Sequence, residues 1–411
     1  MAIKIKYKTS LSGSLSNRSF SLSRSGILAH SMRTKPKLWL AAFFILGVVS
    51  LTLLFWTLSR TTRPQDSLAQ LRQYYSKTDG RPAPRDHPLA RFFPKVKGVI
   101  VVLCRNGDRE EMVATVKNFQ GRFNSNFHYP YVFLNNEPFT SEFMNDITRA
   151  VGSDGNVKFG TVPKEHWSYP DWIDQQKAAR ARADMEAKGV LYGGSESYRF
   201  MCRYFSGFFY QHPLLQEYEY YWRIEPGVRF TCDINYDVFR YMKDYDKMYG
   251  FVITMQEIAE TIPTLWSTVL EEFLPNAPAR HPRLSETIRY FGPPTPHGYN
   301  GCHFWSNFEI ASFSFFRSPE YARFFAALDR RGGFFYERWG DAPVHSIAVG
   351  LFLRTSQVHY FEDIGYRHDP FSHCPADFAL RQANRCDCDP FEPSETSHNR
   401  CQNLWNVNYL I

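Results

Sequence analysis

Residues 38–58, LWLAAFFILGVVSLTLLFWTL, run for 21 positions without a charge. As a helix rising 1.5 Å per residue, such a run spans roughly 30 Å, the thickness of a bilayer core. Trp39 and Trp56 sit near its two ends, where amphipathic rings favour the membrane interface. A buried core helix is seldom apolar around its whole circumference, and a signal peptide has a shorter apolar part nearer the N-terminus. The run therefore reads as a membrane anchor. Its flanks give an orientation. Residues 1–37 carry eight Lys and Arg and no Asp or Glu, whereas only Arg60 and Arg63 follow closely, with Asp66 just after. Basic flanks stay cytosolic, so residues 59–411 are expected across the membrane in a type II topology. The tail also accounts for the net charge of +7: the remainder holds 40 basic against 41 acidic groups. A nucleic-acid enzyme needs positive charge on its folded part, so no nucleic-acid partner is expected.

Beyond the anchor, residues 59–92 mix polar residues with Pro64, Pro82, Pro84 and Pro88 and read as a stem. All eight cysteines lie after the anchor. An even count in a lumenal domain is compatible with disulfides, but eight cysteines allow 105 pairings and none is assigned. Buried free thiols are the alternative for those in apolar runs. No C-x-x-C occurs, which argues against a zinc ribbon.

Residues 93–411 read as one α/β domain. GVIVVLC (98–104) is a β-branched run expected as a buried strand. Met112, Val113, Val116 and Phe119 follow at helical spacing, and YPYVFLNN (129–136) is a second strand. Further strands are expected over 156–162, 218–226, 227–234, 247–255 and 358–366, with an extended run over 304–316. Helices are expected over 175–188, 197–210, 264–273, 319–329 and 343–353. About 315 residues exceed the usual single core, so long insertions or a second lobe are expected.

Dinucleotide, phosphate-loop and nucleophile-elbow glycine motifs are all missing. What remains are charged groups at element ends, where open α/β sheets bind ligands. Glu225 ends a strand halted by Pro226, so it can hold a divalent cation or pair with a nearby Arg. Glu309 lies between Phe308 and Ile310, which marks either a core ion pair or a reactive carboxylate. Strand alternation points it away from both neighbours, towards a cleft. Asp341 precedes Pro343 and can serve as a helix N-cap. His368 follows a strand and is either structural or a metal ligand.

Taken together, YYWRIEPGVRF, CHFWSNFEIASFSFFRS, GGFFYERWGDAPVHSIAVGLFL and IGYRHDPFSHCP, with SESYRFMCRYFSGFFY upstream, resemble the fungal Golgi α-1,2-mannosyltransferases of glycosyltransferase family 15. The resemblance runs from about Lys97 to about Pro375. The stretch after Ala376, with Cys386-Asp387-Cys388, matches no motif. The resemblance implies a GT-A-type nucleotide-sugar transferase fold with a mixed central sheet, behind a single transmembrane helix. It implies retaining transfer of mannose from GDP-mannose, with Mn²⁺, to mannose-terminated O- or N-glycans during glycosylation and cell-wall mannoprotein synthesis. On this match Glu225 and His368 are the metal ligands, in a Glu-Pro-x-Val variant of the usual Asp-x-Asp motif. Glu309 is the candidate nucleophile, Tyr198 and Asp341 are further active-site positions, and Arg105 lies near the nucleotide. A membrane-anchored glycosidase using Glu225 and Glu309 as an acid–base pair is one alternative. A non-catalytic lectin of the secretory pathway is another.

Overall fold

The computed structural model describes residues 95–153, 155–276, 290–292, 298–392, 394 and 399–409. The tail, anchor and stem expected over 1–92 lie outside them. Among the described residues no helix is long and apolar enough to cross a membrane.

The core is a seven-stranded sheet. It contains β1 (Gly98–Leu103), β2 (Tyr131–Asn135), β3 (Val157–Thr161), β4 (Tyr220–Arg223), β6 (Tyr249–Phe251), β9 (Glu309–Ser312) and β10 (Val358–Tyr360), in the order β10-β6-β9-β4-β1-β2-β3. β1 pairs in parallel with both β2 and β4, and β2 with β3. β9 alone runs against its neighbours β4 and β6. The sheet is therefore mixed, as expected. Because the chain leaves β1 for β2 on one side and later returns to β4 on the other, the order reverses at β1. Such a switch point opens a crevice at the carboxyl ends of the strands.

Alternation along each strand divides the apolar residues between two faces. Val99, Val101, Tyr221 and Ala311 join one cluster, and Ile100, Val102, Trp222 and Ile310 the other. The first face is covered by helices Glu196–Gly207 (α2), Pro319–Arg331 (α3) and Asp341–Phe352 (α4), and the second by Arg109–Phe119 (α1). α2 and α3 are joined inside the core by Arg203, whose Nε and Nη2 reach the two oxygens of Asp329 at 2.7 and 2.8 Å.

Several expected elements are shorter than their apolar runs because the chain changes sheet within them. The run 247–255 leaves β6 and becomes β7 (Thr254–Gln256), which pairs with β8 (Cys302–Phe304). The extended run 304–316 ends at Ser312, whose Oγ accepts from Ser314 N and starts a helical turn over Phe313–Phe316. The run 227–234 keeps only β5 (Arg229–Phe230), and 358–366 divides into β10 and β11 (Tyr366–His368). β11 pairs with β5 and with β12 (Phe371–His373) in a small antiparallel sheet. Thr264–Phe273 forms a four-residue α-helix followed by a widened π turn. The last expected helix starts two residues early, at Asp341.

Disulfides Cys232–Cys386, Cys302–Cys401 and Cys374–Cys388 fasten the C-terminal segment to β8 and the small sheet. The described part of the stretch after Ala376 is thus tied to the rest of the fold. Cys104 and Cys202 are buried free thiols.

Candidate active site

Glu225 is presented by a turn that the sequence encodes residue by residue. In Glu225-Pro226-Gly227-Val228, proline fixes φ at the second position and Gly227 takes φ +79° at the third, the pattern of a type II turn. Val228 N donates back to Glu225 O at 3.4 Å. The turn projects the Glu225 side chain past the carboxyl end of β4, where it is 25% exposed.

Behind it stands Arg223, the nearby Arg with which the sequence allowed Glu225 to pair. Its Nε donates to Glu225 Oε1 at 3.0 Å, and its Nη1 to Asp341 Oδ2 at 2.6 Å. The guanidinium lies over the Phe205 ring, 3.5 Å from its centroid. Burial works against the Arg223 charge, but Glu225 and Asp341 outweigh it and raise its pKa further. The signal available in the sequence was a lone cation in the apolar strand YYWRI, two residues before a carboxylate.

Asp341 is not a side-chain cap: Gly340 holds the N-cap position, and Asp341 Oδ2 also accepts from Ser306 Oγ at 2.7 Å. Burial opposes its ionisation, but the Arg223 guanidinium prevails and holds the carboxyl below its usual range. Tyr198 opens α2 nearby. It stacks on exposed Tyr192 with centroids 4.5 Å apart, and the Arg338 guanidinium is 5.2 Å from its ring. Burial raises its pKa, and Asp341 is among the charges acting on it.

His368 ends β11. The pairing Arg367↔Arg229 sets it across from the Glu225–Val228 turn. Its Nδ1 is 2.7 Å from Asn307 Nδ2, and its ring is 5.2 Å from that of Trp305. Asn307 lies in the turn that leads into β9, two residues before the Glu309–Arg223 pair of the antiparallel β4–β9 ladder. Asn307 and His368 thus meet between the two sheets, with Glu225 on the turn across from His368. Burial raises the Tyr366 pKa, and Glu225 adds to the shift, which agrees with that placement.

Glu309 points away from Phe308 and Ile310, as alternation requires. It does not open into a cleft, however, because α4 covers this face too and leaves it fully buried. Its carboxylate accepts from the hydroxyls of Tyr221 and Tyr249, the latter at 2.6 Å, and from His345 Nδ1 at 2.8 Å. His345 Nε2 faces Phe205 O at 2.9 Å. Both ring nitrogens therefore face acceptors, which only an imidazolium satisfies. Burial works against that charge, yet Glu309 outweighs it and raises the His345 pKa. Arg105 lies in the loop after β1 with its guanidinium folded onto Asp108, Nη2 to Oδ1 at 3.3 Å.

Among the described residues no three His, Cys, Asp or Glu side chains cluster as a closed metal site. Glu225 and His368 nevertheless suit a hard divalent ion that takes its other ligands from a phosphate and water. Asn307 Oδ1, beside His368, is buried without a hydrogen-bond partner, which marks this corner as incomplete by itself.

Residues 66–408 match the family described as glycolipid 2-alpha-mannosyltransferase. The alpha-1,2 mannosyltransferase KTR1 of Saccharomyces cerevisiae is 50% identical over 321 residues, 77% of this chain and 80% of that protein. The crystal structure of mannosyltransferase Ktr4p from S. cerevisiae in complex with GDP superposes with TM-score 0.73 at 37% identity, covering 85% of this chain and 92% of that one. The Mn/GDP form of core-mannan synthase A from Aspergillus fumigatus gives TM-score 0.70 at 37% identity, covering 76% and 85%.

Proposed function

The chain belongs to the glycolipid 2-alpha-mannosyltransferase family, and from that membership we propose that it transfers mannose from GDP-mannose, with retention, to the 2-hydroxyl of a mannose-terminated O- or N-glycan. The observation that carries this reading is the charged corner at the carboxyl ends of the parallel strands, where Glu225, Arg223 and Asp341 are held by a turn, a strand and a helix N-terminus. We take the fold as GT-A type on the same grounds.

Glu225 and His368 would hold Mn²⁺. When bound, the ion would supply positive charge to stabilise the diphosphate that leaves. Arg223 keeps Asp341 ionised and holds Glu225 by a hydrogen bond so that it need not reorganise. Asp341, fixed by Arg223 and Ser306, is the acceptor best placed to orient a sugar hydroxyl near Tyr198. Arg105 remains a candidate for the nucleotide on account of its position after β1. For Glu309 the surroundings matter more than the strand pattern. An attacking carboxylate needs a free oxygen, and three donors occupy this one. That supports front-side attack, in which the leaving phosphate guides the acceptor and Glu309 positions the residues around it.

The anchor over 38–58, a type II orientation and residence in the Golgi belong to the same proposal, with a role in protein glycosylation and fungal cell-wall mannan. Calorimetry of GDP binding with and without Mn²⁺ tests the metal assignment. Glu225→Gln and His368→Ala should each weaken Mn²⁺-dependent GDP binding about 10-fold or more. Unchanged binding in both would remove these residues as ligands.

A further inference from the structure

We propose that Asn307 fixes the tautomer of His368, its amide oxygen accepting from Nδ1–H so that Nε2 turns an unprotonated lone pair towards the cation. The proposal rests on His368 being a cation ligand. A neutral imidazole has one N–H and one lone pair, and a metal takes the lone pair. The short 2.7 Å approach between the Asn307 amide and His368 Nδ1 is one hydrogen bond whichever way the amide is turned. With Nδ2 towards the ring, Nδ1 must accept and Nε2 keeps the proton. Neither nitrogen is then free for a cation. Rotating the amide by half a turn barely changes its shape. It places Oδ1 on Nδ1–H, fixes the proton there and frees Nε2.

The surroundings make Asn307 a rigid support. It is 4% exposed and lies in the turn two residues before Glu309, where β9 begins. Trp305, tilted at 42° to the imidazole, stands beside the ring and limits its rotation. Hydrogen bonds to the remote nitrogen of a metal-bound histidine commonly set its tautomer and basicity, and losing them lowers metal affinity about 10- to 100-fold. Asn307 is therefore a positioning residue that acts through His368.

Mn²⁺ titration of the full-length protein, followed by electron paramagnetic resonance with GDP present, reads affinity without turnover. Asn307→Leu should weaken Mn²⁺ binding about 10- to 100-fold. Asn307→Asp, which can accept from Nδ1–H but cannot donate, should bind within a few-fold of wild type. A donor role would predict the reverse, with Asp as damaging as Leu. His368→Ala separates the two layers of the argument. If it leaves Mn²⁺ affinity unchanged, the ligand assignment fails. If it abolishes binding while Asn307→Leu does not weaken it, the ligand assignment stands and the present inference is overturned. ¹⁵N spectra of the metal-free wild type, with His368 assigned through His368→Ala, need no Asn307 variant. They should show the proton on Nδ1, and a predominant Nε2–H tautomer would contradict the proposal.

Discussion

Glu309 shows how one residue can satisfy a sequence pattern and still have an unexpected environment. Its alternation with Phe308 and Ile310 was legible. The second cover over its face was not, because α4 lies more than thirty residues further along and only the fold brings His345 to it. Glu309→Gln keeps the shape but removes the charge that holds His345 protonated against burial, and losing one partner of a buried pair costs about 3–5 kcal/mol. The expected outcome is a large fall in melting temperature with donor binding and turnover lost in proportion. A variant of wild-type stability that binds GDP-mannose normally, with kcat down by about 10² or more, would instead identify Glu309 as the attacking group. Arg223 belongs to the same scale: its pairing with Glu225, two residues on, was legible as the alternative to cation binding, but Asp341, 118 residues away, was not.

At the scale of elements, most strands and helices follow from period and punctuation. The Pro226-Gly227 turn was readable as a strand stop, and the structure adds that it aims Glu225. The lengths of β6, β9 and β10 were not readable, because an apolar run that changes sheet looks the same in sequence as one long strand. The His345–Glu309 pair joins α4 to β9, and this junction has a pH signature. The folded His345 pKa is raised above the unfolded value of about 6.5. Its contribution to stability is therefore fully present below about pH 6.5 and is lost as pH rises through the folded pKa. Urea titrations of wild type and His345→Gln across pH 5.5 to 9.5 should show a stability gap that is widest on the acid side and narrows on the alkaline side. A gap independent of pH would mean that the ring is neutral in the folded protein.

For the whole molecule, the sequence pattern supplied the α/β class, and the ordered motifs supplied the family resemblance and, through it, the mixed sheet before any geometry was known. Disulfide pairing was closed to it, since Cys232 and Cys386 are 154 positions apart and only the folded chain selects one pairing among many. The basic tail and apolar run are the grounds for the proposed type II orientation, which would put residues 59–411 in the lumen. The chain's one standard glycosylation sequon, Asn17-Arg18-Ser19, then stays on the cytosolic side. Protease added to sealed Golgi vesicles should spare everything beyond the anchor, and digestion of the catalytic domain would reverse the assignment.

The most direct test of the account as a whole is a product analysis. Full-length protein in detergent would be incubated with GDP-mannose, Mn²⁺ and α-methyl-mannoside, and the linkage and anomeric configuration of the product read by NMR. The account predicts an α-1,2-linked dimannoside formed in step with GDP release, and none when Mn²⁺ is chelated. Release of free mannose without disaccharide, a linkage other than α-1,2, or full activity without a divalent cation would contradict it.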